Sequence, residues 1–319
     1  MKKKVKLSQN AVYIAKRKVG SYAYKIFRFC FIFGFSYLFL FPLLYMLSTS
    51  LQSPTDAVNP LAIWVPEHFS FAAFGEALKH LNFKESFPLT ASITVFSTLG
   101  TIFSCSLTGY AFGRYEFPFK KILFVFVVLM IIIPPQALVM SNYLQYRFFS
   151  FGGILKIFGK SINLLGSPWV FILPSFMASG LRAGLYIFIF RQFFSGISKE
   201  LEEAASIDGC GPIRTFYQIM IPLAVPAFVT VLLFSIIWYW NDYYSASIYF
   251  VDEIKPLTVM LKNLNGTLIS SGVVGGSNPL NSRMFIQAGA LITIAPLLIL
   301  YLFTQRFFTE SIERTGIVG

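Results

Sequence analysis

Apolar residues gather in six long runs, at residues 27–47, 87–112, 122–142, 170–190, 223–240 and 285–303, separated by shorter polar stretches. Each run is close to the roughly 20 residues that a helix needs to cross a hydrocarbon core. None shows the ten-residue alternation of a membrane β-barrel strand. In lipid the backbone has no water to bond to, so these runs are expected to be helices. The pattern therefore predicts an all-α integral membrane protein with six transmembrane helices. It is expected to divide into a basic leader (1–25), a six-helix domain (26–304) that carries a polar insert at 195–222, and a tail (305–319).

Composition agrees with that picture. Of 319 residues, 55% are hydrophobic and only 13% charged, and the mean hydropathy is +0.66. A soluble domain carries about 25% charged residues. Six spans place both termini on one side. That side collects seventeen Lys and Arg, among them Lys2, Lys3, Lys4, Arg114, Lys120, Lys121, Arg191, Lys199 and Arg214. The other side holds eight, and Arg182 falls inside a span. Basic residues accumulate on the cytoplasmic side of membrane proteins, so both termini and the 195–222 insert are expected there. The net charge of +12 is on this account mainly a topology signal, with the lipid bilayer rather than nucleic acid as its partner. The basic N-terminus followed by a long apolar run reads as an uncleaved signal anchor.

The sequence excludes several kinds of chemistry. Cys30, Cys105 and Cys210 are too few and too scattered for a disulfide framework, and the two histidines, His68 and His80, fall in one outer loop. No catalytic group and no metal site is expected. The segment 154–161 (ILKIFGKS) ends like a phosphate-binding loop but has Ile154 at the first glycine position and lies on the outer side. With no such motif elsewhere, the chain is expected to be no enzyme and to hold no cofactor of its own. A secondary transporter would need ionisable groups within its spans, and Arg182 alone is a poor relay.

The insert is the most informative stretch. Ser198 can cap a helix whose first turn carries Glu200, Glu202 and Glu203, the charge that a helix N-terminus favours. Ala204 and Ala205 keep that helix slim, Asp208-Gly209 breaks it, and Gly211-Pro212 opens a second short helix. From the residues alone this is either a connecting loop or a knob with small residues for close docking.

Residues 203–226, EAASIDGCGPIRTFYQIMIPLAVP, resemble the EAA loop of binding-protein-dependent ABC importer permeases: Glu203-Ala204-Ala205, Asp208-Gly209, Phe216, Ile219, Pro222 and Pro226. Residues 92–117, 131–136 (IIIPPQ), 187–194 (IFIFRQFF), 238–242 (WYWND) and 305–319 extend the resemblance to the carbohydrate branch, the second permease subunit of maltose-type systems. Ala91 stands where these permeases commonly have Asn, and Val318 where they have Lys.

The resemblance implies a translocating subunit that imports a sugar or oligosaccharide by alternating access. Glu203, Ala204, Ala205, Asp208, Gly209 and Phe216 would couple it to cytoplasmic ATPase subunits, which hold the ATP and magnesium. A second related permease and an extracytoplasmic solute-binding protein would complete the assembly. Another polar solute, such as a glycerophosphodiester or sugar phosphate, is the alternative, and an ion-coupled secondary transporter a more distant one.

A substrate path has several candidates. Thr90, Thr94, Ser97, Thr101, Ser104 and Thr108 share one helical face, either as a lining or as a seam between helices. Pro134-Pro135 should break the third span, with Gln136 and Asn142 just beyond. Trp238, Tyr239, Trp240 and Asn241 close the fifth, where aromatic residues serve either sugar rings or the membrane interface. Arg182 is open to three placements: on the pathway, paired with Asp242, or snorkelling to the outer surface.

Overall fold

A computed structural model describes residues 2–57, 65–150, 161–251, 254–275 and 279–316, with side chains at residues 22, 24–56, 65–150, 161–251, 254–275 and 282–305. The phosphate-loop-like segment through residue 160, Val318 and parts of both long outer loops lie outside the described residues.

The described chain is helical, apart from isolated bridges between Gln52 and Phe69 and between Phe149 and Ile162. Its elements are α1 (Lys2–Ser50), α2 (Pro54–Ala57), α3 (Ala72–His80), α4 (Phe83–Arg114), α5 (Lys120–Ile132), α6 (Pro135–Arg147), α7 (Trp169–Phe176) and α8 (Ala183–Gly196). There follow α9 (Glu200–Ile207), α10 (Pro212–Thr215), a π-helical turn (Phe216–Met220), α11 (Ile221–Leu223), α12 (Val225–Asn241), α13 (Tyr244–Tyr249), α14 (Leu257–Ser270) and α15 (Pro279–Gly316).

Three stretches are long and apolar enough to cross a membrane unbroken: Tyr24–Ser50, Phe83–Arg114 and Ser282–Gln305. The other expected spans are interrupted. α5 and α6 meet at 105° across Ile133-Pro134, because Pro135 cannot donate to the helix and its ring displaces the preceding turn. The segment Pro212–Leu223 meets α12 at 78°. The fourth expected span is two helices, α7 and α8, separated by residues 177–182. Among the described residues, helices long and apolar enough to cross thus number three, or five if each bent pair counts as one.

Packing divides the chain into two compact units, Met1–Gly75 with Gly275–Leu291, and Glu76–Val274 with Ile292–Gly319. In the first, the apolar side chains of α1 between Tyr24 and Leu40 are exposed, and Phe27, Phe31, Phe35 and Phe39 follow one another at the helical spacing of four. Such an unburied apolar surface suits lipid and no aqueous setting.

The second unit is built around α4, which packs against α7, α8 and α12. One cluster joins Cys105, Tyr110, Tyr186, Phe190, Phe194, Phe216 and Met220; a second joins Ile93, Val170, Phe171, Tyr239, Tyr249 and Phe250. The α4–α8 crossing is close because Gly109 lacks a side chain. A Cβ there would lie 2.9 Å from the Arg191 backbone nitrogen, so Ala at this position would force the helices apart.

Candidate functional site

The polar insert folds as a helix, a left-handed turn and a second helix. Ser198 Oγ accepts the Glu200 N–H at 3.3 Å ahead of α9. At the other end Gly209 has φ +78°, the Cys210 N–H reaches Ala205 O at 2.8 Å and the Gly209 N–H reaches Ser206 O at 3.1 Å. These paired bonds form a Schellman cap, which places a residue in the left-handed region where Gly carries no steric cost. Gly211 then precedes Pro212 at the start of α10, where a missing N–H is harmless.

The six coupling candidates divide by environment. Glu203, Ala204, Asp208 and Gly209 are exposed, whereas Ala205 and Phe216 are buried. The Phe216 ring lies 4.9 Å from Tyr110 and 6.0 Å from Phe194, so it anchors the insert to α4 and α8. Two apolar side chains project outward instead: Ile207 is 87% and Ile213 76% exposed. Nothing along the chain singles them out, since any apolar residue of such an insert reads as core.

Glu202, which looks like its neighbours Glu200 and Glu203 in the sequence, is the main polar anchor. Its carboxylate accepts from Arg114 Nε at 2.7 Å and from Tyr110 Oη at 2.9 Å, and pairs with a second Arg114 nitrogen. Arg114 also donates to Ile197 O at 2.7 Å and to Ser198 O at 3.3 Å. The last turn of α4 thereby holds both the first turn of α9 and the chain leading into it. An arginine fork is suited to such multiple acceptance.

The hydroxyl stripe of α4 is buried from Thr90 to Ser104, with Thr98 beside it, and Thr108 is half-buried. Thr90 Oγ1 accepts the Leu257 N–H at 2.9 Å, Ser235 Oγ donates to Thr98 Oγ1 at 3.2 Å and Ser104 Oγ donates to Ser175 O at 2.6 Å. Thr101 Oγ1 lies 3.3 Å from Tyr239 Oη, and Ser97 is fully buried. These groups face neighbouring helices, as small hydroxyl residues do where membrane helices approach closely.

The remaining candidates scatter, except around one cavity. Gln136 and Asn241 are exposed, and Asn241 Nδ2 donates to Ile237 O at 2.9 Å. Trp240 is buried and donates to Thr293 O at 3.0 Å. Asn142 and Arg182 come together, in the lining of a cavity of about 150 Å³ at the two helix breaks, with Ile133 and Pro135 from the first and Ser179 to Gly184 from the second. Tyr146 and Tyr249 complete its polar wall.

Arg182 is held there by the backbone around it. Ala178 and Arg182 have φ +54° and +60°, conformations that cost an L-residue of order 1–3 kcal/mol each and persist only where neighbours enforce them. Tyr239 Oη accepts the Leu181 N–H at 3.1 Å, and the Ala183 N–H reaches Gly180 O at 3.1 Å. The guanidinium stacks over the Trp238 ring, 4.2 Å from its centroid, and its Nε is buried without a hydrogen-bond partner. Asp242 accepts the Ser245 N–H at 3.3 Å and makes no ion pair with Arg182 among the described residues. Trp238, Tyr239 and Trp240 thus serve three different surroundings, as the 100° step of a helix dictates.

In the other unit, Asp56, Glu67 and His68 each offer a ligand atom within 4.8 Å of one another, a grouping suited in donor type to a divalent cation. The Asp56 carboxylate accepts the His68 backbone N–H at 2.8 Å, and that bond holds its carboxyl below the usual carboxylate range.

Comparison with known proteins agrees with this construction. Residues 105–314 match the family described as the inner membrane component of binding-protein-dependent transport systems. The chain is 28% identical over 293 residues to the polygalacturonan/rhamnogalacturonan transport system permease protein YtcP of Bacillus subtilis, covering 88% of this chain and 94% of that one. It is 30% identical over 280 residues to the melibiose/raffinose/stachyose import permease protein MelC of the same organism, with 87% and 91% covered. The fold matches a chain of a bacterial ABC transporter involved in the import of the acidic polysaccharide alginate, with a TM-score of 0.67, 24% identity, and 89% and 96% of the two chains covered. From residue 105 to residue 314, and so over most of its length, this chain is a member of the family of inner membrane components of binding-protein-dependent transport systems.

Proposed function

We propose that this chain is one of two related translocating subunits of an ABC importer that brings a sugar or oligosaccharide into the cytoplasm by alternating access. It has no ATP site of its own. ATP and magnesium are held by partner ATPase subunits on the cytoplasmic side, where both termini and the α9–α10 insert lie, and substrate arrives from a solute-binding protein on the outside.

The observation that carries this reading is the insert. Ile207 and Ile213 project from a loop expected to stand in water, while Glu202 and Phe216 tie the same loop rigidly to α4 and α8. An apolar tip on a rigid base fits a partner's groove. Burying each isoleucine would contribute about 1.5–3 kcal/mol, enough for a docking contact. Glu203, Ala204, Asp208 and Gly209 lie exposed beside them and would complete the contact surface. Motion of the docked partner would pass through the Glu202–Arg114 bond into α4. Sugar as the cargo is supported by the relatives, several of which are named for sugar or oligosaccharide transport.

The test is to solubilise native membranes gently, recover the tagged chain and identify what accompanies it, for wild type and for Ile207→Asp and Glu203→Lys. An ATPase and a second permease should accompany the wild type, and the ATPase should be lost from Ile207→Asp with the second permease retained. A chain recovered alone in every form, in a detergent that preserves complexes, refutes the reading.

A further inference from the structure

Neither the insert nor the hydroxyl stripe accounts for the cavity at the helix breaks. We propose that this cavity receives a carboxylate borne on a ring of the transported sugar, and that Arg182 is the group that binds it; the proposal rests on the sugar-import reading above.

The guanidinium is arranged to bind something at its edge. Trp238 stacks on it at 4.2 Å, which satisfies a face and holds the plane still, and the in-plane N–H groups are the ones that recognise a carboxylate in bidentate fashion. Nε, one of those donors, is closed off by burial and finds no acceptor in the protein among the described residues, so a ligand in the cavity would have to be met by the other N–H groups of the guanidinium. No carboxylate among the described residues forms an ion pair with Arg182, and Asp242 is engaged by the Ser245 backbone. A positive charge fixed beside a cavity, without a counter-ion among the described residues, calls for one from the solute.

Arg182 lies well within the length of the neighbouring span. Leu181 bonds Tyr239, which contacts Thr101, and Cys105 Sγ reaches Ala183 O at 3.8 Å. Arg182 is therefore level with Thr101 to Cys105 of α4, about 27 Å of helix from its Phe83 end and about 14 Å from its Arg114 end. Arg182 thus lies beside the middle of a long apolar helix and not beyond either end of it, and a charge kept inside a span marks a solute or ion path.

The surroundings suit a sugar acid in particular. α6 and α8 both begin at the cavity, so their positive ends add to the field of the guanidinium. Asn142, Tyr146, Ser179 and Tyr249 offer amide and hydroxyl groups of the kind that ring hydroxyls bond. At about 150 Å³ the cavity has room for one sugar ring, and it is open on one side, so the rest of an oligosaccharide could extend out of it. A single guanidinium balances one negative charge, which favours a carboxylate over a phosphate monoester of charge about −1.5 to −2.

The experiment reconstitutes the copurified complex in liposomes with its binding protein and follows uptake of trigalacturonate, of its methyl ester, of a sugar phosphate and of neutral oligosaccharides. The ester has the same rings and linkages without the charge. Wild type should prefer the acid to the ester, and Arg182→Gln should lower acid uptake about tenfold or more, the scale of one lost charged hydrogen bond, while ester or neutral uptake stays within about twofold. Arg182→Lys, which keeps the charge without the planar fork, should fall between them, and it serves as the test if Arg182→Gln does not assemble with the companion permease. An acid-to-ester ratio unchanged by either assembled variant overturns the proposal and leaves the sugar reading standing, as does a wild type that takes only neutral sugars or prefers the phosphate. Uptake of no saccharide, charged or neutral, by an intact wild-type complex refutes both.

Discussion

Arg114, at the last residue of α4, and Glu202, in the first turn of α9, are joined by an Nε–Oε2 bond of 2.7 Å and a second nitrogen contact, and the Arg114 side chain is 3% exposed. The bond connects a membrane-crossing helix to the insert through a charged pair rather than through loose backbone. A rigid joint at this place is what a transmitted motion requires.

Removing one partner leaves the other charge without its mate. Arg114→Ala should cost about 2 kcal/mol, because a half-buried carboxylate is left unpaired and the Ile197 and Ser198 carbonyls lose their donor. Glu202→Gln keeps an acceptor oxygen for Arg114 and turns its amide N–H group toward Tyr110, whose hydroxyl oxygen can accept, so it should cost less, about 1 kcal/mol. Thermal unfolding of the purified protein measures both, and uptake should fall more than stability does, since the joint is weakened before the fold.

Gly209 sits at φ +78° with open space where a methyl group would point, so the effect of Gly209→Ala is conformational alone, about 1 kcal/mol. Gly209→Pro cannot adopt that φ and also removes the N–H that bonds Ser206 O. It should abolish uptake at equal membrane levels with insertion unchanged. Normal uptake by this variant would show that the turn is not needed for coupling.

Tyr239→Phe removes the acceptor of the Leu181 N–H and the neighbour of Thr101 in a buried place. The expected loss is about 1–3 kcal/mol, the cost of a buried donor left unsatisfied. Because the hydroxyl positions the break at 177–182 that carries Arg182, uptake of a charged sugar should fall at least as far as that of a neutral one. A loss confined to neutral sugars would show that the hydroxyl does not act through Arg182.

Asp56 should make the Ser53–His68 region sensitive to acid. Its folded-state pKa is lowered, first by the His68 backbone N–H, so its contribution is complete above the ordinary value of 3.8 and is lost as pH falls below that value through the folded one. Hydrogen exchange at the His68 amide should therefore be protected, after correction for intrinsic rates, from neutral pH down to about 4 and lose protection below. In Asp56→Ala the protection should be absent throughout.

Much of the architecture was legible in the sequence, since apolar runs of sufficient length must become helices when lipid offers no hydrogen bonds. The Gly209 break and the Pro212 start were legible too, because left-handed φ and a missing N–H are properties of single residues. Tertiary structure alone decided how the spans run. Hydropathy scores the environment of a residue and not the direction of its helix, so the bend at Pro135 was visible only as a break, and the interruption at 177–182 not at all. That interruption depends on Tyr239, 58 positions from Leu181, supplying an acceptor to a backbone that left the helix. Glu200, Glu202 and Glu203 looked alike as acids of a first turn; which of them met Arg114 depended on the rotation of α9 against α4. Arg182 was visible as a charge in an apolar run, but its level along α4, its stacking on Trp238 and its lack of a counter-ion among the described residues arise only when segments distant along the chain are brought together.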